Sequence, residues 1–203
     1  MPSTRLLIAT HNQGKVQEFR HLLDDLPLEL VSLNDLGISE DVEETGSTFL
    51  ENAWLKARTY SRIGGILTLS DDSGLEVDAL GGQPGIHSAR YGGEACRNDE
   101  DRLSLLLSNM KDVPWPRRTA RFRCCIAICQ PEGAELSVVG SVAGMIQYEP
   151  KGSEGFGYDP VFYLPSFART MSELSMEIKN RISHRGDATV RAVRALDRLM
   201  ARS

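Results

Sequence analysis

The chain has 203 residues of which 41% are hydrophobic, enough to bury a core in one large domain or two small lobes and too apolar for a disordered chain. Its 23 basic and 28 acidic residues leave a formal net charge of −5, which argues against general binding to nucleic-acid backbones but leaves room for a local basic pocket. No apolar stretch approaches the roughly 20 residues that span a bilayer, and Met1-Pro2-Ser3-Thr4-Arg5 leads straight into a strand, so a soluble, unsecreted protein with no membrane partner is expected.

The predicted elements begin with an apolar run, Arg5 to Ala9, that ends in Thr10-His11-Asn12-Gln13-Gly14-Lys15. Val16, Phe19, Leu22 and Leu23 then recur at helical spacing, giving a strand, loop and helix. A weaker strand around Leu28 to Ser32 precedes the acidic loop Glu40 to Gly46. Ser47 is expected to cap a long helix reaching about Ile63, with Phe49, Ala53, Leu55 or Ala57, and Tyr60 on its apolar face. Ile66 to Ser70 reads as a buried strand closed by Asp71 and Asp72 and followed by the flexible pair Ser73-Gly74.

Leu75 to Leu80 alternates as a further extended piece, and Gly81 to Gly85 is loop. Asn98 caps a helix through Met110 whose apolar stripe is Leu103, Leu106, Leu107 and Met110. Arg118 to Gln130 and Glu135 to Tyr148 form an antiparallel hairpin across the turn cluster Pro131-Glu132-Gly133-Ala134, and helices return at Ser172 to Lys179 and Asp187 to Ala201. This mixture predicts an α/β architecture of two lobes around a cleft. Cys124, Cys125 and Cys129 sit in a strand setting without metal or disulfide spacing, which assigns them to packing in a reducing cytoplasm.

Five stretches carry chemistry. Asp71 and Asp72 stand where open α/β sheets place ligands; two carboxylates in a partly dehydrated cleft call for a divalent metal or a proton, although Asp-Asp-Ser-Gly is also ordinary turn chemistry. Asn12, Gly14 and Lys15 lie where a strand gives way to a helix, a place that attracts phosphate, yet they lack P-loop spacing and also read as a plain capped loop. Glu43 and Glu44, followed by Lys56, are either solvated surface or, facing Asp72, hard oxygen ligands for magnesium with a nucleotide phosphate completing the shell. Phe156 between Gly155 and Gly157 can stack on a flat ligand or fill core. Lys179 and Ser183-His184-Arg185-Gly186 supply a cation, a ring donor and a guanidinium, or a solvated surface.

These stretches fit one ordered pattern together with Glu43 to Ala53, Ser70 to Leu75 and Leu80 to Tyr91. On six motifs between about Leu6 and Leu199, the chain closely resembles the inosine/xanthosine triphosphate pyrophosphatases, the Ham1-like house-cleaning nucleotidases. The resemblance implies a single domain over residues 1–203, an elongated two-lobed mixed sheet with flanking helices and a central cleft, and a cytoplasmic homodimer. It implies magnesium-dependent hydrolysis of the non-standard purine nucleoside triphosphates ITP, dITP and XTP to the monophosphate and pyrophosphate, with little action on ATP or GTP. By the same resemblance Thr10, His11, Asn12, Gln13, Gly14 and Lys15 bind phosphate, Glu43 and Asp72 hold magnesium, and Asp72 accepts the proton. Lys56, Ser73, Phe156, Gly157, Tyr158, Asp159, Lys179, His184 and Arg185 contact the substrate. His11 and Trp54 occupy positions expected to vary.

In this reading Lys15, Lys56, Lys179 and Arg185 supply the field that balances a triphosphate. Asp72 carries a tension between ligating metal, which lowers its basicity, and acting as a base, with Asp71 or a second water able to share the proton. Two other classes compete. A nucleotide sensor that cleaves nothing gains little from acidic side chains, and a phosphotransferase lacks its P-loop.

Overall fold

The computed structural model describes residues 4–200, with side chains through residue 196. The predicted lead-in from Met1 to Ser3 and the predicted helix end at Ala201 lie outside the described residues. In chain order the elements are β1 (Thr4–Ile8), α1 (Gln13–Leu22), β2 (Leu28–Ser32), α2 (Phe49–Gly64), β3 (Leu67–Val77) and α3 (Asp99–Asn109), then β4 (Thr119–Cys129), β5 (Glu135–Ile146), β6 (Phe162–Leu164), β7 (Arg169–Thr170), α4 (Met176–Ile182) and α5 (His184–Met200). The strands form one sheet in the order β2-β1-β3-β4-β5-β6-β7. β1 is parallel to β2 and β3, whereas β6 is antiparallel to β5 and β7, so the sheet is mixed and the class is α/β as predicted. No described helix is long and apolar enough to cross a membrane.

The chain divides into two compact units, the first drawing on the chain up to Asp72, on Cys124–Gly140 and on the chain from Arg185 onward, the second on Ser73–Arg123 and Ser141–His184. In the first unit, strand alternation splits β1 between two cores. Leu6 and Ile8 join Val16 and Phe19 of α1, Leu69 of β3 and Ala188 and Ala192 of α5. Leu7 joins Val31, Leu33 and Tyr60 of α2. A strand covered on both faces needs the continuous apolar run that the sequence shows there. The free thiols of Cys124, Cys125 and Cys129 are buried as packing residues.

The core of the second unit gathers Leu75 and Val77 of β3, Leu103 and Leu106 of α3, Phe122, Phe162 and Met171. Arg118 is buried within it and donates to four carbonyls, Met110 at 2.6 Å, Ile146 at 2.7 Å, Gln147 at 2.9 Å and Val113 at 3.3 Å. Those bonds satisfy a guanidinium that would otherwise be costly to bury, and they tie the chain after α3 to the end of β5.

Several expected boundaries move. The cap of α2 is Thr48, whose side chain accepts from Glu51 N while the Glu51 side chain answers the Thr48 N–H, a capping box one residue beyond the predicted Ser47. Ala57, not Leu55, lies on its buried face. β3 does not stop at the aspartates but runs through Asp-Asp-Ser-Gly to Val77, so the predicted turn and the separate strand from Leu75 are both replaced by one long strand. Both aspartates find partners on the sheet faces, so no turn is needed to expose them. The predicted helix from Ser172 begins instead after Ser175, because Met171–Glu173 forms a separate 3-10 turn and Leu174 is extended. α5 starts at His184, which places His184-Arg185-Gly186 in a helical turn. β6 and β7 were not anticipated.

Candidate active site

On β3, neighbouring residues point to opposite faces. Asp71 shares the face of Leu69, against which α1 and α5 pack, and Asp72 turns toward α2. The two acids therefore have separate environments.

On the α2 face, Lys56 Nζ lies 2.6 Å from Glu44 Oε1 and 3.4 Å from Asp72 Oδ1. Asn52, fully buried, donates its Nδ2 to Asp72 Oδ2 at 3.2 Å and accepts the Gly46 N–H on Oδ1 at 2.8 Å. Burial pushes the Asp72 pKa above the ordinary carboxylate value; Lys56 and Lys15 oppose the rise, and Glu44 and Asp71 add to it. Lys56 is held above the ordinary lysine value, because Asp72, Asp71 and Glu44 outweigh the burial that would lower it. Asp72 and Glu44 are thus two hard oxygen donors around one ammonium. Glu43 is exposed, and among the described residues no group of three or more His, Cys, Asp or Glu is arranged to hold a metal ion.

On the other face, Asp71 Oδ2 takes Lys15 Nζ at 2.9 Å and Arg185 Nη2 at 3.4 Å. Arg185 is only 2% exposed, pairs through Nη1 with Glu18, and lies 5.7 Å from the Phe19 ring centre. Burial would raise the Asp71 pKa, but Lys15, then Arg185 and Lys56, hold it well below the usual carboxylate range. Burial likewise opposes the Arg185 charge, and Asp71 and Glu18 overcome it to hold the guanidinium firmly protonated.

Asn12 caps α1, its Oδ1 accepting the Lys15 N–H at 3.2 Å, and its own N–H donates to Thr10 Oγ1 at 3.2 Å. Gln13 and Gly14 open the helix, and no acidic residue lies in its first turn, so the positive end of the helix is presented beside Lys15. Tyr60 donates its hydroxyl to the Glu40 carbonyl at 2.8 Å, and His11 Nε2 lies 3.1 Å from the same oxygen. That contact ties the β1–α1 loop to the acidic stretch.

In the second unit, Ser73 continues β3. Gly157 donates its N–H to Asp99 at 2.9 Å, and the buried Tyr158 donates its hydroxyl to the Ser88 carbonyl at 2.9 Å. Asp159 and Lys179 form an ion pair at 2.6 Å, and Lys179 is 3% exposed. Gly155 has φ +89°, and a Cβ there would lie 2.1 Å from Asp159 Oδ2 and 2.3 Å from Lys179 Nζ, so only glycine fits beside the pair. Phe156 is half-buried; His184 stacks on Phe122 with centroids 4.8 Å apart.

The model of the Ham1 family matches residues 6–195. The chain belongs to the Ham1 family. A dITP/XTP pyrophosphatase of Geobacter sulfurreducens is 49% identical over 185 residues, covering 91% of this chain and 92% of the relative. The dITP/XTP pyrophosphatase of Bacillus subtilis is 44% identical over 94% of this chain and 96% of its own length. Among solved structures, the Ham1 protein of Staphylococcus aureus superposes with a TM-score of 0.83 at 40% identity, over 98% of this chain and all of that one (100%). A HAM1 protein of Coxiella burnetii gives 0.86 at 39% identity, over 96% and 99%.

In this Ham1 family member the structure gathers Lys15 and Arg185 around Asp71, gathers Lys56 around Asp72, and sets Asp159 against Lys179. Gln13 and Glu43 stay exposed. Three residues beside these groups were given no site role from the sequence, namely Glu18, Asn52 and Tyr60. Asn52 carried a signal, since it is a polar residue among Phe49, Ala53 and Ala57 on the buried stripe of α2.

Proposed function

We propose that the chain is a nucleoside triphosphate pyrophosphohydrolase that converts dITP, ITP and XTP to the monophosphate and pyrophosphate. The observation that carries the reading is the environment of Asp72, a buried carboxylate with a raised pKa facing Lys56 and Asn52, in a chain nearly half identical to dITP/XTP pyrophosphatases. A raised pKa brings a carboxylate closer to the range useful for accepting a proton from attacking water. The start of α1 and Lys15 meet the phosphates, and Lys56 balances charge next to the acid. Phe156, Gly157, Tyr158, Asp159, Lys179, Ser73, His184 and Arg185 are proposed as the remaining substrate contacts, with a donor at His184 or Arg185 selecting a 6-oxo purine over adenine.

The donor set fits magnesium. Asp72 and the acidic loop with Glu43 and Glu44 offer hard oxygens, and the like charge of Glu44 that raises the Asp72 pKa is relieved by a cation. Asp72 with Glu43 would hold the ion, with Glu44 beside them; bound there, it would neutralise phosphate charge and polarise water. The chain is proposed to act as a single-domain homodimer in the cytoplasm, a compartment that suits its four free cysteines. Incubation with dITP, XTP, ATP and GTP, with and without Mg2+, tests the reading through its products. Pyrophosphate from dITP and XTP alone is expected; orthophosphate plus a diphosphate, or no turnover, contradicts it.

A further inference from the structure

Asn52 is a polar side chain at the centre of a buried helical face, where packing alone favours an apolar residue. Both ends of its amide are in use. Oδ1 accepts the Gly46 N–H at 2.8 Å, and because the amide is planar, this acceptor bond turns Nδ2 toward Asp72 Oδ2 at 3.2 Å. Gly46 permits the approach, since a Cβ there would lie 2.6 Å from Asn52 Oδ1 and 2.7 Å from Glu51 Cβ. The amide is mounted next to the capping box of Thr48 and Glu51, so its own position is fixed by the start of α2.

We propose that Asn52 is a positioning residue for the reaction, holding Asp72 Oδ2 through Nδ2 and fastening the acidic loop at Gly46 to the same frame through Oδ1. The two oxygens of Asp72 thereby acquire different tasks. Oδ2 is held by the amide, and Oδ1 is left on the side of Lys56 and Glu44, where the working group is needed. The proposal rests on the reading of Asp72 as the proton acceptor in pyrophosphate release.

Two variants separate orientation from packing. Asn52→Leu keeps the volume and loses both bonds; Asn52→Asp keeps an acceptor for Gly46 and loses the donor to Asp72. With dITP and Mg2+, both are expected to lower kcat by about 10–100-fold while KM stays within about threefold. Hydrogen exchange at the Gly46 amide, measured without substrate, should accelerate in Asn52→Leu and stay slow in Asn52→Asp. A wild-type kcat in Asn52→Asp overturns the orienting role, as does a loss in both variants that matches only their unfolded fraction at the assay temperature. Wild-type protein that releases no pyrophosphate would instead remove the parent reading.

Discussion

The two faces of β3 treat adjacent aspartates in opposite ways. On the α1 and α5 face, Asp71 is clamped by Lys15 and Arg185, and Glu18 backs Arg185; its carboxyl is stabilised as the anion. On the α2 face, Asp72 meets Lys56 and the neutral amide of Asn52 while Glu44 competes for the same ammonium, and its pKa rises with burial. An acid whose charge is fully answered holds a structure in place. One whose charge is only partly answered can bind a cation or take a proton.

Among substitutions that leave Asp72 itself in place, removing the ammonium from its face should have the largest effect. Lys56→Met is expected to lower kcat/KM for dITP by roughly 100-fold or more, read by pyrophosphate release; a value within threefold of wild type would mean the α2 face does not carry the chemistry. Asp71→Asn should act on stability, because Lys15 and Arg185 lose a shared buried partner. It is expected to cost about 3 kcal/mol, a fall of roughly 6–12 °C in Tm for a chain of this size, with turnover per folded molecule changed far less than in Lys56→Met. A Tm within about 1 °C of wild type would erase the contrast between the faces.

Asn98→Ala removes the cap of α3, the bond from Asp101 N to Asn98 Oδ1 at 2.8 Å, away from the partners of Asp71 and Asp72. It should cost about 1 kcal/mol in urea unfolding and leave kcat unchanged. The smallest effect belongs to the exposed pair of Arg58 and Glu135, 2.7 Å apart, where Glu135→Gln should cost no more than about 0.5 kcal/mol. Hydrogen bonding from Arg58 depresses the Glu135 pKa, so whatever stability it adds is present above the usual value of 4.5 and is lost as pH falls through the lowered one. Wild type and Glu135→Gln should therefore converge in acid, and a gap that widens there would reverse the assigned sign.

How much of this was legible in the sequence depended on whether the deciding partner was local. The start of α1 and the face of α2 followed from spacing, and Asn98 was read correctly as a cap because its partner lies three residues on. The strand was read as ending at Ser70 because Asp71 to Gly74 is turn-like in composition, and the cations that answer the two aspartates, Lys15, Lys56 and Arg185, come from three distant helices. Strands as short as β6 and β7 carry too few residues for alternation to register. Lys15, Lys56 and Asp72 could be singled out as charged residues in suggestive places. Glu18 could not, since a glutamate on a helix usually reads as solvated and only the fold shows it buried against Arg185.

The most direct test of the division between the faces is the turnover of dITP by Asp72→Asn at saturating Mg2+. The variant keeps the shape of the side chain and an acceptor for Asn52, so it should fold with a Tm close to wild type and lose at least about a thousandfold in kcat. A folded Asp72→Asn protein releasing pyrophosphate at a near-normal rate would contradict the account.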